Sequence, residues 1–518
     1  MKIVIPMSGM SRRFIDAGYQ IPKYLIHANN KRVIEHIVDL YPKDSNFLFI
    51  INDKHEQETE VVNLLNDIVS NKTIVTIDSH KKGPVYTVSQ ALQHIEDDEQ
   101  VVVNYCDFSM YWDYQDFENF VDETECDSCV VCYTGFHPHM LGGDNYAFCK
   151  VNLHNDILEI REKQPFTDNK MSEYASTGTY YFRKGEYVKK YFQQLIEEDV
   201  NINGEYYVSL VHNLMIRDNL INKVYEVPHM LQWGTPLDFD MYQKWSNYYE
   251  KTLHGQKEIF IPNTVTLIPM AGAGSRFLKE GYSEPKPFIS VNGKRMVDQA
   301  LRCLPKTDKT IFGCLRGHRR FSILGNIVWI DDVLPGQACT TERLVNEIES
   351  ESILISACDN GVFYDANKFL DLVNDDENDI IVWSYRNNYT SYYNPNMYSW
   401  LDIDENQNVL NVNVKEFKGT NPVEEYAIVG TMFFRNKDTY LEPLQQLYNK
   451  NKRTNNEFYI DNLLNEAIEL GYKVKNFEID EYICWGTPND LKTYEYWQRF
   501  FNKVDWHLYE YAKDYFTN

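Results

Sequence analysis

The chain reads as one protein written twice. Residues Ile5-Pro-Met-Ser-Gly-Met-Ser-Arg-Arg-Phe14, followed by Pro22-Lys23 and Lys31-Arg32, match Ile268 onward at a constant offset of 263. Farther along, Cys106-Asp107 pairs with Cys358-Asp359, Gly178-Thr179 with Gly430-Thr431, Glu205 with Glu457, and Trp233-Gly-Thr-Pro236 with Trp485-Gly-Thr-Pro488, all at an offset of 252. A repeat on this scale settles the architecture before any local assignment, because each copy is long enough to bury its own core. The 518 residues suit two domains, predicted as 1–254 and 264–518, with 255–263 as the linker.

Within each copy the most informative stretch is the first. Val265-Thr-Leu-Ile268 has the pattern of a buried parallel strand, and Met270-Ala-Gly-Ala-Gly-Ser-Arg276 leads from it into a helical stretch. Backbone N–H groups at such a strand end suit a polyphosphate. Gly272 and Gly274 let the chain approach phosphates without a Cβ in the way, with Ser275 beside them, while Arg276 and Lys286 bring positive charge from two directions. The alternative is a tight strand-to-helix turn with two surface bases.

Gly272-Ala-Gly-Ser-Arg-Phe277, then Pro285-Lys286 and Gly293-Lys294, resembles the signature of the nucleotidyltransferase superfamily that makes nucleotide-activated sugars and related phospho-compounds. A dinucleotide-binding loop fits less well, since its third glycine is absent. The resemblance implies two tandem Rossmann-like α/β domains, each a mostly parallel mixed sheet flanked by helices. It also implies transfer of a nucleotidyl group from a nucleoside triphosphate to a phosphorylated small acceptor, with release of pyrophosphate, as in capsule and lipopolysaccharide precursor pathways.

Carried over residue by residue, the resemblance makes Arg276 and Lys286, with Arg13 and Lys23 in the first copy, the catalytic cations. Gly272, Gly274, Ser275 and Gly9 then belong to the phosphate loop, and Gly336, Gln337 and Gly83 to the turn that touches the nucleobase. Asp107 and Asp359 would coordinate Mg²⁺, a hard ion usually held by one or two carboxylates with phosphates and waters. Lys163 and Lys415 would grip the acceptor phosphate, with Gly178, Gly430, Glu205 and Glu457 lining the acceptor site. Many relatives have an acidic ligand two residues before the glycine of Trp-Gly-Thr-Pro, where this chain has Gln232 and Cys484. Either one carboxylate and phosphates hold the ion, or Asp238 and Asp490 take part.

The first copy also departs from the pattern by putting Ser11 and Arg12 where the second has Gly274 and Ser275. Two working sites with different acceptors is the favoured reading, and one working and one degenerate copy the alternative. A glycosyltransferase would normally show an Asp-x-Asp pair, whereas this chain has Asp107-Phe-Ser and Asp359-Asn-Gly. A non-enzymatic nucleotide sensor stands as a further alternative.

Charge and cysteine usage narrow the setting. A net charge of −25 argues against nucleic acid or an anionic membrane as partner. No stretch approaches the ~20 apolar residues of a membrane span. The ten cysteines lie mostly in apolar strand-like runs and point to a reducing cytoplasm. Cys126-x-x-Cys129-x-x-Cys132 reads as a β-strand, not a metal site, for want of a fourth ligand. An oligomer is compatible with the sequence.

Overall fold

The computed structural model describes residues 1–321, 325–349 and 352–517. The chain forms two compact units, Met1–Ser246 with Arg499–Leu508, and Asn247–Gln498 with Tyr509–Asn518. Residues 255–263, the expected linker, fall inside the second unit. The strand Phe260–Pro269 begins within them, and Gln256 is tied to Tyr364 by a side-chain bond to its carbonyl at 3.0 Å.

In the first unit a nine-stranded sheet runs, in spatial order, Ile157–Glu162, Ala147–Val151, Tyr174–Phe182, Val101–Asn104, Lys2–Met7, Asn46–Asn52 and Lys72–Ile77. Ser128–Tyr133 also pairs with Tyr174–Phe182, and Asn222–Glu226 with Ser128–Tyr133. Only Tyr174–Phe182 and Ile157–Glu162 run against the other strands. The central strands are continuous β-branched and aromatic runs because both faces are covered. Alternate residues supply two cores: Ile3, Ile5, Phe47 and Phe49 pack on one face, and Val4, Leu48, Ile50 and Val103 on the other.

The second unit repeats this plan. Its sheet runs Asn326–Ile330, Lys306–Leu315, Phe260–Pro269, Ser352–Ile355, Tyr426–Phe434, Ile380–Tyr385 and Val474–Glu478, and Trp400–Ile403 and Val409–Asn413 extend it from Tyr426–Phe434. Cys126, Cys129 and Cys132 are buried thiols, the last two within the strand Ser128–Tyr133, and no disulfide joins the ten cysteines. Among the described residues no helix is long and apolar enough to cross a membrane.

Candidate functional site

Each site grows from two neighbouring parallel strands. Lys2 lies opposite Val101, so the loop after Met7 and the Cys106-Asp107 pair leave the sheet at the same end. Thr264 lies opposite Ser352, which does the same for the Gly272 loop and Asp359. Open α/β sheets bind ligands at these carboxyl ends. Lys23 Nζ donates to Asp107 Oδ2 at 2.6 Å, and Lys286 Nζ donates to Asp359 Oδ2. Burial works against both ammonium groups, yet the adjacent carboxylates outweigh it and raise both lysine pKa values. Arg13 and Arg276 are exposed, each the second residue of the short helix that follows its loop. Arg13 is close enough to Lys23 and Tyr207 to shift their ionisation, and Arg276 close enough to Tyr398 and Tyr459.

The Trp-Gly-Thr-Pro motif locks the aspartate in place. Gln232 pairs with Phe108, and Cys484 with Asn360, in two-stranded antiparallel ribbons. The next residue, Trp233 or Trp485, donates its backbone N–H to the carbonyl of Asp107 at 3.0 Å or Asp359 at 2.8 Å. A Cβ on Gly234 would stand 2.9 Å from Asp107 Oδ2, and one on Gly486 would stand 2.7 Å from Asp359 Oδ2, so only glycine lets the carboxylate sit there. Thr235 and Thr487 then accept the backbone N–H of Asp238 and Asp490 and donate to their carboxylates at 2.6 Å, opening the helices Pro236–Thr252 and Pro488–Phe501.

The glycine loops keep one geometry with different residues. Gly274 is left-handed (φ 60°), and Ser11 holds the same conformation (φ 50°) at the start of the helix Arg12–Asp16. Above Gly9 and Gly272 a Cβ would meet nothing within 4 Å, so no packing against protein atoms demands those glycines. Ser275 is the first residue of the helix Ser275–Lys279.

Gly83 and Gly336 instead serve packing. Their φ values are +83° and +128°, and a Cβ would stand 2.8 Å from the Tyr206 amide nitrogen or 2.4 Å from the Phe458 carbonyl oxygen. Each turn therefore lies flat against the segment that carries Glu205 or Glu457, with Gln337 opening the helix Gln337–Val345. Lys163 Nζ donates to Tyr207 Oη at 2.6 Å, and the Tyr207 hydroxyl donates to Glu205. Lys415 Nζ donates to the Met397 carbonyl and lies 5.6 Å from the centre of the Tyr459 ring, while Glu457 is exposed. Gly178 and Gly430, both with positive φ, accept backbone bonds from Tyr105 and Ala357.

In the first unit these parts enclose one cavity of about 550 Å³ that reaches from Ser8 and Arg13 past Lys23 and Asp107 to Lys163 and Glu205. Three residues that line it had no role assigned from the sequence, although Glu162 and Tyr207 stand in the stretches that hold Lys163 and Glu205. Tyr207 has its copy in Tyr459, a signal the repeat offered. Glu162, beside Lys163, accepts from Ser209 Oγ at 2.6 Å, and burial pushes its carboxyl up to about 7. His80 Nε2 meets Ser8 Oγ at 3.3 Å and Thr87 Oγ1 at 3.2 Å while its Nδ1 accepts the Lys82 N–H, and burial lowers its pKa. The second copy has Val333 in that place, so nothing in the repeat marks it.

The oxygen donors around Asp107 suit a hard cation. One carboxylate oxygen faces Lys23, and the position left empty by the absent Gly234 Cβ lies 3.4 Å from the Gln232 amide oxygen. In the second copy Cys484 donates its thiol to Asp490 at 3.3 Å, and burial raises its pKa well above the usual thiol value, so it offers no hard ligand. Burial also raises Asp490, and Asp359 adds to this by repulsion; Asp238 is pushed up to about 6, chiefly by burial. One oxygen of each of these carboxylates, Oδ2, accepts the hydroxyl of Thr235 or Thr487.

No protein-family model and no curated protein matches the chain. Among solved structures it is similar to a nucleoside-diphosphate-sugar pyrophosphorylase from Vibrio cholerae RC9 (23% identity, 46% of this chain and 99% of that one, TM-score 0.39). It is also similar to the inositol-1-phosphate CTP transferase of T. maritima (19% identity, 48% and 99%, TM-score 0.36). A UDP-glucose pyrophosphorylase complexed with UDP-glucose is a third (16% identity, 48% and 98%, TM-score 0.39). Each of these chains matches over nearly its whole length while covering under half of this one.

Proposed function

We propose that the chain is a nucleotidyltransferase with two sites, each moving a nucleotidyl group from a nucleoside triphosphate to a phosphorylated small molecule. The observation that carries this reading is the first-unit cavity. It puts a lysine–carboxylate pair, an exposed glycine loop with Arg13, and a second lysine, Lys163, along one continuous space. The spacing suits two phosphorylated molecules meeting end to end. The same set, Arg276, Lys286, Asp359 and Lys415, recurs in the second unit.

The chemistry needs little proton transfer, because an acceptor phosphate oxygen is already anionic. That oxygen attacks the α-phosphorus, a new P–O bond forms, the bond to the bridging β-oxygen breaks, and pyrophosphate leaves. Positioning and charge neutralisation therefore carry the rate. The glycine loop with Arg13 or Arg276 holds the β- and γ-phosphates, and Lys23 or Lys286 meets the charge developing at the α-phosphate. Lys163 or Lys415 holds the acceptor phosphate. Asp107 and Asp359 would hold Mg²⁺, which when bound draws charge from the triphosphate. The products fit nucleotide-activated precursors of capsule or other surface polysaccharides.

The test is pyrophosphate release across the common nucleoside triphosphates and a panel of phosphorylated acceptors, on wild type, Lys23→Ala and Lys286→Ala. Each substitution should cost its own site about 10²–10³ in rate. Retention of more than a tenth of the activity by both single variants and by the double variant would refute the assignment.

A further inference from the structure

The acceptor ends of the two copies are built from different chemistry. In the first unit Glu162, Tyr105, Tyr180 and Ser176 line the cavity beside Lys163. At the matching positions around Lys415 the second copy has Val414, Ala357, Met432 and Ile428. The frame is held in common: Tyr105 and Ala357 each donate their backbone N–H to the glycine carbonyl at 3.0 and 3.1 Å, and both lysines are left-handed, with φ 59° and 55°. An acid, two phenols and a hydroxyl have thus been exchanged for four apolar side chains while the scaffold stayed the same.

The first set faces inward on a like-charged pair. The Glu205 charge is close enough to disfavour ionisation of Glu162, and Tyr105, Tyr180 and Tyr207 all sense the Glu162 charge. Glu162 accepts from Ser209 and Glu205 from Tyr207. Ionised carboxylates have further acceptor sites and no donors. Lys163, the nearest protein cation, already donates to Tyr207 and is the group that meets the acceptor phosphate. Arg13 and Lys23 also line the cavity, but Lys23 is held by Asp107 and Arg13 belongs to the triphosphate end, so an ammonium group bearing N–H donors would match the two carboxylates beside Lys163.

We infer that the acceptor of the first unit is a phosphorylated amine, with its phosphate on Lys163 and its ammonium group between Glu162 and Glu205, whereas the acceptor of the second unit carries no cation. This rests on the nucleotidyl-transfer reading. A neutral polyol would satisfy the hydrogen bonds but leave the repulsion between the carboxylates unrelieved.

The experiment compares O-phosphoethanolamine and glucosamine 1-phosphate with glycerol 3-phosphate and glucose 1-phosphate. Pyrophosphate release is followed on Lys286→Ala, which leaves the first site, and on Lys23→Ala, which leaves the second. The first site should favour each amine over its neutral partner by about tenfold or more in kcat/KM, the second should not, and Glu162→Gln should erase the preference of the first. Binding of O-phosphoethanolamine and glycerol 3-phosphate, by calorimetry on wild type and Glu162→Gln, gives a readout that needs no turnover. If pyrophosphate is released but the first site prefers neutral acceptors, or Glu162→Gln leaves the ratio unchanged, the amine assignment is wrong. If no acceptor yields pyrophosphate, the transferase reading fails; amine binding that weakens about tenfold in Glu162→Gln would still uphold the subsite, and equal binding of both probes would overturn it.

Discussion

Ser11 Oγ accepts the backbone N–H of Lys23 at 3.0 Å, from a left-handed backbone that serine rarely adopts. In the second copy Gly274 takes the same conformation without strain, and a Cβ there would stand 3.2 Å from the Lys286 Cβ. The serine thus accepts a backbone cost and offsets it with a bond that fixes the residue bearing the site's ammonium group. Ser11→Ala keeps the strain and loses the bond, so it should destabilise the protein by about 1 kcal/mol. Ser11→Gly loses the bond but relieves about 1–2 kcal/mol of left-handed strain, so it should stay near wild type. Thermal unfolding of both variants checks the ranking, and an alanine variant as stable as wild type would show the bond to be idle.

Gly486 bears on the carboxylate from the other side. Its backbone is not left-handed, so alanine fits the local fold, but the new Cβ would stand 2.7 Å from Asp359 Oδ2 and 3.2 Å from Cys484 Sγ. The carboxylate must turn away from Lys286. Gly486→Ala should therefore lower turnover at the second site by more than about tenfold while costing little stability, because a displaced electrostatic group loses most of its effect on the transition state. Unfolding temperature and pyrophosphate release, read on the same preparation, separate the two effects.

Two glycines that look alike in the sequence should part company when replaced. Gly336→Ala drives a Cβ into the backbone of Phe458 from a φ of +128°, and should destabilise its unit by about 3 kcal/mol. Gly272→Ala meets nothing within 4 Å and should leave stability unchanged while weakening triphosphate binding, because the proposed function puts the phosphates in that open space. Denaturant unfolding and nucleotide titration on both variants would show the reversal. Equal loss of stability in both would mean the loop is held by packing alone.

These residues also show how far the sequence could be read. The repeat and its continuous apolar runs specified two sheets, and the parallel order of the strands brought loop, lysine and aspartate to one edge. The role of Gly83 and Gly336 was hidden, because what demands a glycine there is the backbone of Tyr206 or Phe458, more than a hundred residues away. The Ser11 substitution read as a departure from the phosphate-loop pattern, since a motif records residue type and not the backbone conformation that serine preserves. The bonds of Asp238 and Asp490 to Thr235 and Thr487 likewise appear only once the helix ends are built.

Glu162 should give the first site a pH signature of its own. In the folded protein burial pushes its carboxyl up to about 7, with Glu205 adding to this and Ser209 and Lys163 opposing it. Tyr105, Tyr180 and Tyr207 also face it and stay neutral across this range. An unfolded glutamate titrates near its ordinary value of about 4.3. Between these two values the folded state holds a proton that the unfolded state has released, so stability falls as pH rises through the window. Glu162→Gln cannot titrate and should lack this part of the slope, on the order of 3–4 kcal/mol across the window. Amine binding runs the other way, since an ammonium group favours the ionised carboxylate. Affinity for O-phosphoethanolamine should therefore rise with pH up to about 7 and level off above it. Below that value binding should release a proton, which calorimetry in two buffers of different ionisation enthalpy would detect. The release should be smaller in Glu162→Gln and for glycerol 3-phosphate, where the phosphate monoester, with its second pKa of about 6, still titrates; an unchanged proton count in the variant would place the titrating group elsewhere.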